Sequence, residues 1–511
     1  MISRRHVIAG AAAIGFSAPA IVRAQSWFSD NPFGLGIAAG DPAPDGFVIW
    51  TKLSTDPLAR HGGMPLSALP VGWEVAEDEG FRTVVASGEE LARPELGHSV
   101  HVELTGLKPG RAYFYRFTVG GDRSLRGMAK TLPPMGSSPD SLRFGICGCQ
   151  NYEDGYYGAF RNLAREDLAF VYHYGDFIYE YHQNYEFDAS RLPTDPVRNH
   201  AFQNLYDLTD YRRAYGQYLT DMDLQAARGM HTWISTFDDH EIHNNWVSLI
   251  DQDPVPPEIF ALRKQAAMQA WYEHMPVRKA LLPVNGMVAA NRLLNYGDLV
   301  AMHVLDTRQH RSDQPCNDGF RPACAGVDDN AAQVLGAAQE KWLDTNLGRG
   351  KAQWNCIAQQ IMVMALDRRT RGEPEKILNL DSWAAYSAPR DRLLSRLEPL
   401  ANAVILTGDE HQNFAGRPHY RDRPAAVEFV TTSISSGGDG SDLRPGSDKL
   451  LAGNGELEFV NDLRGYSVAT VDRQSWRNDF MVMDRVSVPG GEARRRASAT
   501  VPHGEIAFTL S

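Results

Sequence analysis

The chain has 511 residues, of which 22% are charged, with a formal net charge of −12 and a sequence pI of about 5.7. Its length predicts two or more domains. The acidic balance excludes a protein that is drawn to nucleic acids or anionic membranes by charge, so we expect no nucleic-acid-binding surface.

The first 24 residues have the pattern of an export signal. Arg4 and Arg5 precede an apolar run from Ile8 to Ile21, and Val22-Arg23-Ala24 provides a small-x-small cleavage site. Paired arginines are typical of the twin-arginine route, so we expect the twin-arginine export machinery to be a partner. Removal of residues 1–24 takes away three arginines and no acidic residue, which changes the formal charge from −12 to −15.

A first membrane-spanning helix is the alternative interpretation of this segment. The apolar run is shorter than the ~20 residues that such a helix needs. No later segment is apolar enough either. We therefore expect a periplasmic or secreted protein with no stable membrane anchor.

Residues 25–133 are predicted to form an all-β sandwich domain. Five short segments of alternating character are separated by turns: Gly46–Leu53, Val71–Glu77, Val84–Ser87, His98–Leu104 and Arg111–Val119. The turn and tyrosine-bearing strand within Gly106–Arg116 are similar to those of immunoglobulin or fibronectin type III domains. Gly34-Leu35-Gly36 lacks the preceding strand and following helix of a phosphate-binding loop and is assigned to the first strand. Residues 134–141 are the predicted linker.

Residues 142–511 are predicted to form an α/β domain. Helical spacing occurs in Asp207–Arg228, Pro257–His274 and Gln339–Leu347, and strand-like segments in Ala169–Tyr174, Leu299–Leu305, Asn355–Met364 and Val404–Thr407. The tail from Gly465 to Leu510 returns to strand-like alternation and either completes a sheet or shields a cleft. The predicted architecture is an α/β sandwich of two packed mixed sheets flanked by helices.

The five cysteines leave one unpaired. Cys316 and Cys324 lie in a Pro-, Asp- and Gly-rich stretch and are predicted to close a loop disulfide in an oxidising compartment. Cys147 and Cys356 are expected to be buried thiols, although a bond between them stays open. Cys149 remains as a metal-ligand candidate, and as a ligand it would bind as a thiolate.

Two apolar strands end in the same way. Gly175 and Asp176 follow one of them, with Tyr179 in the next turn, and Gly408 and Asp409 follow the other, with His411 nearby. A metal pair needs one carboxylate that bridges both ions and terminal ligands from separate strand ends, and Asp176 fits the bridging role.

Each motif also has a structural interpretation. Gly-Asp is common after strands, and Asp238-Asp239-His240-Glu241 has the composition of a helix start. His411 alone fits a hydrogen-bonded structural histidine, and Cys149 alone a small buried hydrophobe. The joint occurrence of the four motifs favours a metal site.

The motifs together resemble the PhoD-like alkaline phosphatases, a family within the calcineurin-like and purple-acid-phosphatase-like metallophosphoesterases. The resemblance covers nearly the whole mature chain and is carried by seven segments: Gly34–Pro42, Cys149-Gln150, Gly175–Tyr179, Asp221–Ala227, Asp238–Glu241, Leu305–Gln309 and Thr407–His411. It implies an alkaline phosphatase and phosphodiesterase that acts on phosphate mono- and diesters.

The resemblance also implies a ferric ion (Fe3+) with two calcium ions (Ca2+). Its iron and bridging set corresponds here to Cys149, Asp176, Tyr179, Asp409 and His411. Asp239 stands where relatives carry an asparagine ligand. Asn244 or Asn245 is expected to add an oxygen, with Asn245 preferred, although an Asn-rich helix end is an equal alternative. Thiolate and phenolate ligands favour a trivalent or softer ion, whereas carboxylate and amide oxygens favour calcium.

The expected mechanism is in-line attack on phosphorus by a metal-activated hydroxide or bridging oxygen. His240 is the predicted residue to protonate the leaving alkoxide or hold the phosphoryl group. Arg308 is a predicted phosphate clamp, because its fork matches two oxygens, and a structural ion pair with Asp306 is the alternative. Of Gln359 and Gln360, one side chain is expected to point into the cleft and the other into the core.

Two other functions are compatible with the same sequence features. The first is a phosphodiesterase specialised for phospholipids or cell-wall polymers. The second is a surface-binding protein with a vestigial catalytic site, which the intact ligand positions disfavour.

Overall fold

The computed structural model describes residues 27–182, 196–347, 352–369, 372–400 and 402–511. The predicted export signal lies outside these residues. In the described ranges the strands are β1 (Ile37–Ala43), β2 (Gly46–Lys52), β3 (Leu69–Ala76), β4 (Val84–Ala92), β5 (Ser99–Glu103), β6 (Ala112–Val119), β7 (Asp122–Arg123), β8 (Gly127–Lys130), β9 (Ser141–Cys147), β10 (Val171–His173), β11 (Thr232–Ser235), β12 (Arg292–Tyr296), β13 (Val300–Val304), β14 (Phe320–Pro322), β15 (Trp354–Ala358), β16 (Ile377–Asn379), β17 (Ala403–Thr407), β18 (Asn413–Gly416), β19 (His419–Tyr420), β20 (Arg423–Pro424), β21 (Val427–Val430), β22 (Leu457–Asn461), β23 (Gly465–Asp472), β24 (Ser475–Val482), β25 (Arg494–Pro502) and β26 (Thr509–Leu510). The α-helices are α1 (Gly158–Leu163), α2 (Leu208–Leu219), α3 (Met222–Met230), α4 (Pro257–His274), α5 (Gly336–Leu347), α6 (Ser387–Leu397) and α7 (Ser447–Gly453).

Two large mixed sheets pack face to face. One has ten strands in the order β26-β25-β24-β23-β9-β10-β11-β1-β2-β5, and the other has seven in the order β12-β13-β15-β17-β21-β18-β22. Buried side chains of both sheets, among them Phe144, Tyr172, Met302 and Phe429, form the core between them. Helices α1 to α4 cover the outer face of the first sheet, and α5 and α6 that of the second. The predicted sandwich of two mixed sheets flanked by helices is confirmed.

Parallel strands occupy the centre of each sheet. β9, β10, β11 and β1 are parallel neighbours in the first sheet, and β13, β15, β17 and β21 in the second. The tail from Gly465 completes the first sheet, because β23 pairs with β9 and the following strands add to its edge. The parallel arrangement brings several loops to the carboxyl ends of neighbouring strands.

The N-terminal β region shares its sheet with the α/β region. β3, β4, β6 and β7, with β8 beside β6, form a separate sheet that packs on β1, β2 and β5 through one apolar core. Those three strands nevertheless belong to the ten-stranded sheet, since β1 pairs in parallel with β11. The predicted tyrosine motif is present: the backbone N–H of Lys108 donates to the Tyr113 phenol at 2.9 Å.

The structure differs from the sequence-based expectations at two places and excludes a structural alternative at a third. The helical stretch Asp207–Arg228 is two helices, because Asp221 accepts hydrogen bonds from Asp223 N and Leu224 N and so caps a new helix there. Gly34-Leu35-Gly36 precedes β1 as a turn and is not part of the strand. The segments 238–241 and 244–245 are loop after β11, so neither the helix start nor the helix end weighed for them is present.

The cysteine predictions hold. Cys316 and Cys324 form a disulfide, and Cys147, Cys149 and Cys356 are buried free thiols. The question of a bond between Cys147 and Cys356 is thereby answered.

Candidate metal centre

The predicted ligands follow the carboxyl ends of strands from both large sheets. Cys149 follows β9, Asp176 follows β10 and Asp239 follows β11, while Asp409 follows β17 of the second sheet. Because the strands that carry them are parallel within each sheet, these loops meet at one edge of the sandwich. Crevices at the carboxyl ends of parallel strands are the usual binding sites of α/β folds.

Asp176 lies at the middle of the cluster. Its Oδ2 accepts hydrogen bonds from the Cys149 thiol at 3.2 Å and from the Tyr179 hydroxyl at 3.1 Å. The Tyr179 hydroxyl also lies 3.2 Å from His411 Nε2. The ligand atoms of Cys149, Asp176 and His411 all lie within 4.8 Å of one another. Four of the five residues assigned to the iron and bridging set are therefore brought together around Asp176.

Two further groups of ligand atoms overlap with the first. Asp176 also groups with Asp239 and His240, and Asp239 groups with Asp238 and Asp409, in each case within 4.8 Å. Asp176 thus belongs to two groups, as a bridging carboxylate would. Asp238 was part of the sequence motif but was not assigned as a ligand.

Several of these side chains stand on strained backbone. Cys149, Asp176, Asn245, Asp409 and His411 all have positive φ, between 52° and 63°. Such conformations cost roughly 1–3 kcal/mol each and persist where the surroundings determine them, most often at functional sites. The loops are therefore shaped to direct these side chains.

Glycines 148 and 408 allow a tyrosine ring to lie beneath the centre. A Cβ on Gly148 would lie 2.3 Å from the Tyr174 ring, and a Cβ on Gly408 would lie 2.2 Å from it. The Tyr174 hydroxyl donates to Thr432 O at 2.9 Å, which fixes the ring. Cys149 and Asp409 follow these glycines directly, so the ring supports both ligand loops.

Buried partners that sequence reasoning missed hold the ligand loops. The Glu241 carboxylate accepts the backbone N–H groups of Asp176, Phe177 and Asp238 at 2.7–3.0 Å. Ser436 Oγ lies 2.6 Å from the Tyr179 hydroxyl, and the Arg464 guanidinium contacts the His411 carbonyl. Glu241 was visible inside its motif, whereas Ser436 and Arg464 carried no local signal.

His240 is oriented by a carboxylate. Its Nδ1 lies 2.7 Å from Glu180 Oε2, both side chains are buried, and the His240 ring stacks on Tyr179 with centroids 4.1 Å apart. Burial opposes ionisation of Glu180, but His240 outweighs it, so the pKa of Glu180 lies below its usual range. An ionised carboxylate only accepts hydrogen bonds, so the proton of this bond resides on His240 Nδ1. Glu180 directly follows Tyr179 in the sequence motif.

Arg308 is fully buried and paired with aspartates other than Asp306. Its Nε donates to Asp238 Oδ1 at 2.6 Å, and another nitrogen donates to Asp381 Oδ1 at 3.0 Å. Its Nη2 lies 3.7 Å from Asp239 Oδ1. The hydrogen bond between Arg308 and Asp306 is made by the backbone, since Asp306 Oδ1 accepts the Arg308 N–H at 2.9 Å. A clamp on two phosphate oxygens would need nitrogens that Asp238 and Asp381 already occupy.

The two predicted glutamines are both buried in hydrogen bonds. Gln359 Nε2 donates to Thr407 Oγ1 at 2.7 Å, and Gln360 Nε2 donates to Leu305 O at 3.0 Å. The expectation that one of them points into the cleft finds no support in these contacts.

Asn245 lies beside Asp239. Its backbone N–H donates to Asp239 Oδ2 at 2.8 Å, and its side-chain amide donates to Asp318 Oδ2 at 2.7 Å. Asn244, the alternative, donates through Nδ2 to Gln252 Oε1 at 2.6 Å. Only Asn245 of the two has a hydrogen bond to a predicted ligand.

The donor set fits cations. Burial is the largest cause that raises the pKa of Cys149, Asp176, Tyr179 and Asp409, and neighbouring acids raise it further. Asp238 Oδ2 and Asp239 Oδ1 are buried without a hydrogen-bond partner. Buried carboxylate oxygens without hydrogen-bond partners are costly unless a positive charge compensates them. The residues present therefore suit one thiolate- and phenolate-binding ion together with oxygen-binding ions.

Comparison with known proteins gives two family matches along the chain. A family model described as PhoD-like phosphatase matches residues 144–480, and one described as PhoD-like phosphatase, N-terminal domain, matches residues 18–133. Alkaline phosphatase D of Bacillus subtilis (strain 168) is 43% identical over 484 residues, which cover 93% of this chain and 82% of that protein. A solved structure described as "Structure of PhoD" matches with a TM-score of 0.91 at 41% identity, over 95% of this chain and 93% of that chain.

Among the residues that the structure describes, no helix combines the length and apolar character required to cross a membrane.

Proposed function

This chain belongs to the PhoD-like phosphatase family, and from that premise we propose that it is an exported, metal-dependent enzyme that hydrolyses phosphate mono- and diesters. Family membership makes it a phosphoric ester hydrolase. The export, the metal dependence and the breadth of substrates are the proposal.

One observation carries the metal dependence. Asp176 is shared by two groups of ligand atoms at the point where the carboxyl ends of both sheets meet. A shared carboxylate flanked by separate ligand sets is the arrangement that a multinuclear centre requires.

We assign a ferric ion to Cys149, Asp176, Tyr179, Asp409 and His411. We assign two calcium ions to the oxygen-rich side, with Asp239 and Asn245 as ligands. The hardness of the donors supports this division. When bound, such cations supply activation of a water nucleophile and neutralise charge on the phosphoryl oxygens.

His240 is the proposed proton donor to the leaving alkoxide. One of its ring nitrogens lies within 4.8 Å of oxygens of Asp176 and Asp239. The Glu180 hydrogen bond fixes a proton on Nδ1, so the imidazolium form of His240 would hold the phosphoryl group through Nε2–H or give the Nε2 proton to the leaving alkoxide. Arg308 contributes positive charge through Nη2 beside Asp239 and forms an ion pair with Asp238 through Nε. Its role as a direct phosphate clamp stays a prediction.

The test is hydrolysis of p-nitrophenyl phosphate and bis-p-nitrophenyl phosphate by purified protein, with and without EGTA, together with metal analysis and a visible spectrum. We expect chelation to abolish activity, calcium to restore it, and iron to accompany a thiolate or tyrosinate charge-transfer band. Asp176→Asn should be inactive, and Asp484→Asn, at an exposed position, should match the wild type. Full metal loading with neither ester cleaved would contradict the phosphatase proposal, and activity in metal-free protein would contradict the metal dependence.

Export is tested separately by cell fractionation. The full chain is expected in the periplasm or medium, and Arg4→Lys with Arg5→Lys is expected to retain it in the cytoplasm. An unchanged distribution of that variant would contradict the twin-arginine route.

A further inference from the structure

A disulfide-closed loop contacts Asn245, a residue of the proposed calcium side. The Cys316–Cys324 disulfide encloses Asn317 and Asp318, and the carboxylate of Asp318 accepts a 2.7 Å hydrogen bond from Asn245 Nδ2. Strand β14 lies within the same loop and pairs with β16, which anchors the loop to the α/β domain. The site and the disulfide are therefore connected through one side chain.

The backbone of this loop is held in an unusual conformation. Cys316, Asn317 and Asp318 have φ of 60°, 64° and 57°, three consecutive non-glycine residues in the left-handed region. Such residues adopt this region rarely, and a run of three persists only where the surroundings impose it. The Asp318 carboxylate also accepts its neighbour Gly319 N at 2.6 Å, which fixes its direction.

The backbone of Asn245 is already fixed by other residues. Its N–H donates to Asp239 Oδ2 at 2.8 Å, and its carbonyl accepts Gln314 Nε2 at 2.6 Å. What remains to be set is the rotation of the side-chain amide. The amide oxygen and nitrogen lie on opposite sides of the same carbon, so a partner that accepts from Nδ2 directs Oδ1 the other way.

We propose that Asp318, held by the disulfide-closed loop, is a positioning residue that turns Asn245 Oδ1 toward the metal centre as a calcium ligand. The inference rests on the proposed function, because it takes Asn245 as a ligand. Partners of this kind orient metal ligands, and their loss typically lowers metal affinity 10- to 100-fold.

The test measures calcium binding to chelator-treated full-length protein by isothermal titration calorimetry, so that it does not depend on activity. Asp318→Leu removes the acceptor and is expected to weaken calcium binding by about 10-fold or more. Asp318→Asn keeps an acceptor oxygen in the same place and is expected to stay within about threefold of the wild type. Asp313→Leu, at an exposed position of the preceding segment, is the matched control and should bind as the wild type does.

The role of the loop is tested by Cys316→Ser with Cys324→Ser. This variant leaves Asp318 in place but opens the loop, and a roughly 10-fold loss of calcium affinity is expected. Thermal melting of each variant reports whether it is folded. If Asp318→Leu does not fold, the positioning role is judged from the other two variants. It then requires weaker calcium binding in the double-serine variant and nearly wild-type calcium binding in Asp318→Asn.

The outcomes separate the two proposals. If the wild type binds calcium and Asp318→Leu binds it with the same affinity, the positioning role is overturned and the calcium assignment is not. Unchanged affinity in the double-serine variant would overturn the part played by the disulfide. Absence of calcium binding in the wild type would overturn the calcium assignment and, with it, this inference.

Discussion

The orientation of one histidine depends on one buried carboxylate. Glu180→Gln keeps the shape of the side chain but replaces two accepting oxygens with one oxygen and one donating nitrogen. The amide can face His240 with either group, so it no longer fixes the proton on His240 Nδ1. Because His240 is the proposed acid, we expect hydrolysis of an alkyl phosphate, whose leaving group needs a proton, to fall by about 100-fold. Hydrolysis of p-nitrophenyl phosphate should fall by less than about tenfold, since its leaving group is already stable as an anion.

The control for this prediction is Glu492→Gln, an exposed glutamate paired with Arg165, which should change neither rate. Equal losses for both esters would mean that Glu180 acts on folding or binding and not on leaving-group protonation.

The close approach of Gly148 and Gly408 to the Tyr174 ring leads to a second prediction at this scale. Gly408→Ala would place a Cβ 2.2 Å from a Tyr174 ring that is buried and hydrogen-bonded, so the ring has little room to move. We expect a loss of about 2–3 kcal/mol in the free energy of unfolding, measured by urea denaturation. Gly229→Ala, on α3 with no atom within 4 Å of the added carbon, is the control and should be neutral or stabilising by about 0.5–1 kcal/mol. A Gly408→Ala protein as stable as the wild type would show that the ring can shift.

At the scale of elements, a buried histidine on β13 makes the stability of the folded protein depend on pH. His303 on β13 packs edge-on against Trp342 of α5, and burial lowers its pKa from 6.5 to about 4. Between these pH values the unfolded chain binds a proton that the folded protein does not, so stability is lost as pH falls from 6.5 toward 4. At pH 5 this amounts to about 2 kcal/mol, and above pH 6.5 the effect is absent.

His303→Leu removes this titration. Urea midpoints at pH 7.5 and pH 5 are the measurement, and the variant is expected to lose less stability between the two pH values than the wild type. A change in packing affects the stability of the variant at both pH values, so the loss of stability between them reports the titration of His303. An identical pH dependence in both proteins would contradict the shifted pKa.

Elements were predictable from the sequence where one local signal dominates. The spacing over Pro257–His274 gave the bounds of α4, because proline starts the helix and nothing interrupts it. The break within Asp207–Arg228 was not predictable from spacing, because the helical spacing of apolar residues continues past Asp221, which caps a second helix. The ligands after β10 and β17 were recognisable because the glycine, the carboxylate and the strand are adjacent in sequence.

The partners of those ligands were not recognisable in the same way. Asp381 joins Arg308 from 73 residues away, and Ser436 reaches Tyr179 across 257 residues. Neither contact leaves a periodic or compositional trace, since it depends on how two sheets pack. Only partners inside a motif, such as Glu180 and Glu241, lay within reach of sequence reasoning.

At the scale of the whole molecule, the N-terminal β region is bonded to the α/β region along a continuous sheet. Ala39 and Gly40 of β1 pair with Thr232 and Trp233 of β11. The composition change near residue 133 predicted a boundary, but the pairing of strands separated by nearly 200 residues has no signal in a single sequence. The division into domains stays a prediction, and it need not correspond to separable folding units.

This continuity predicts that the α/β region does not fold well alone. Deleting residues 27–133 would expose the edge of β11 and remove Trp50, whose indole donates to Glu273 O of α4 at 3.1 Å. It would also remove His101, whose Nε2 lies 3.0 Å from Met275 O at the end of that helix, and Lys52, the buried partner of Glu273. An uncovered strand edge is strongly unfavourable. Glu273 would keep its ion pair with Arg212 but lose the second buried cation beside it.

The expected result is insoluble protein or a melting temperature lower by about 10 °C or more, measured by circular dichroism on residues 142–511. The matched control keeps every residue and cuts the chain by a protease site inserted at 134–141. Since the sheet and the α4 contacts survive the cut, the two pieces should remain associated, with most of the phosphatase activity. A stable, active 142–511 fragment would instead make the N-terminal β region an independent module, and the contacts of Trp50 and His101 would then contribute little to holding the catalytic region together.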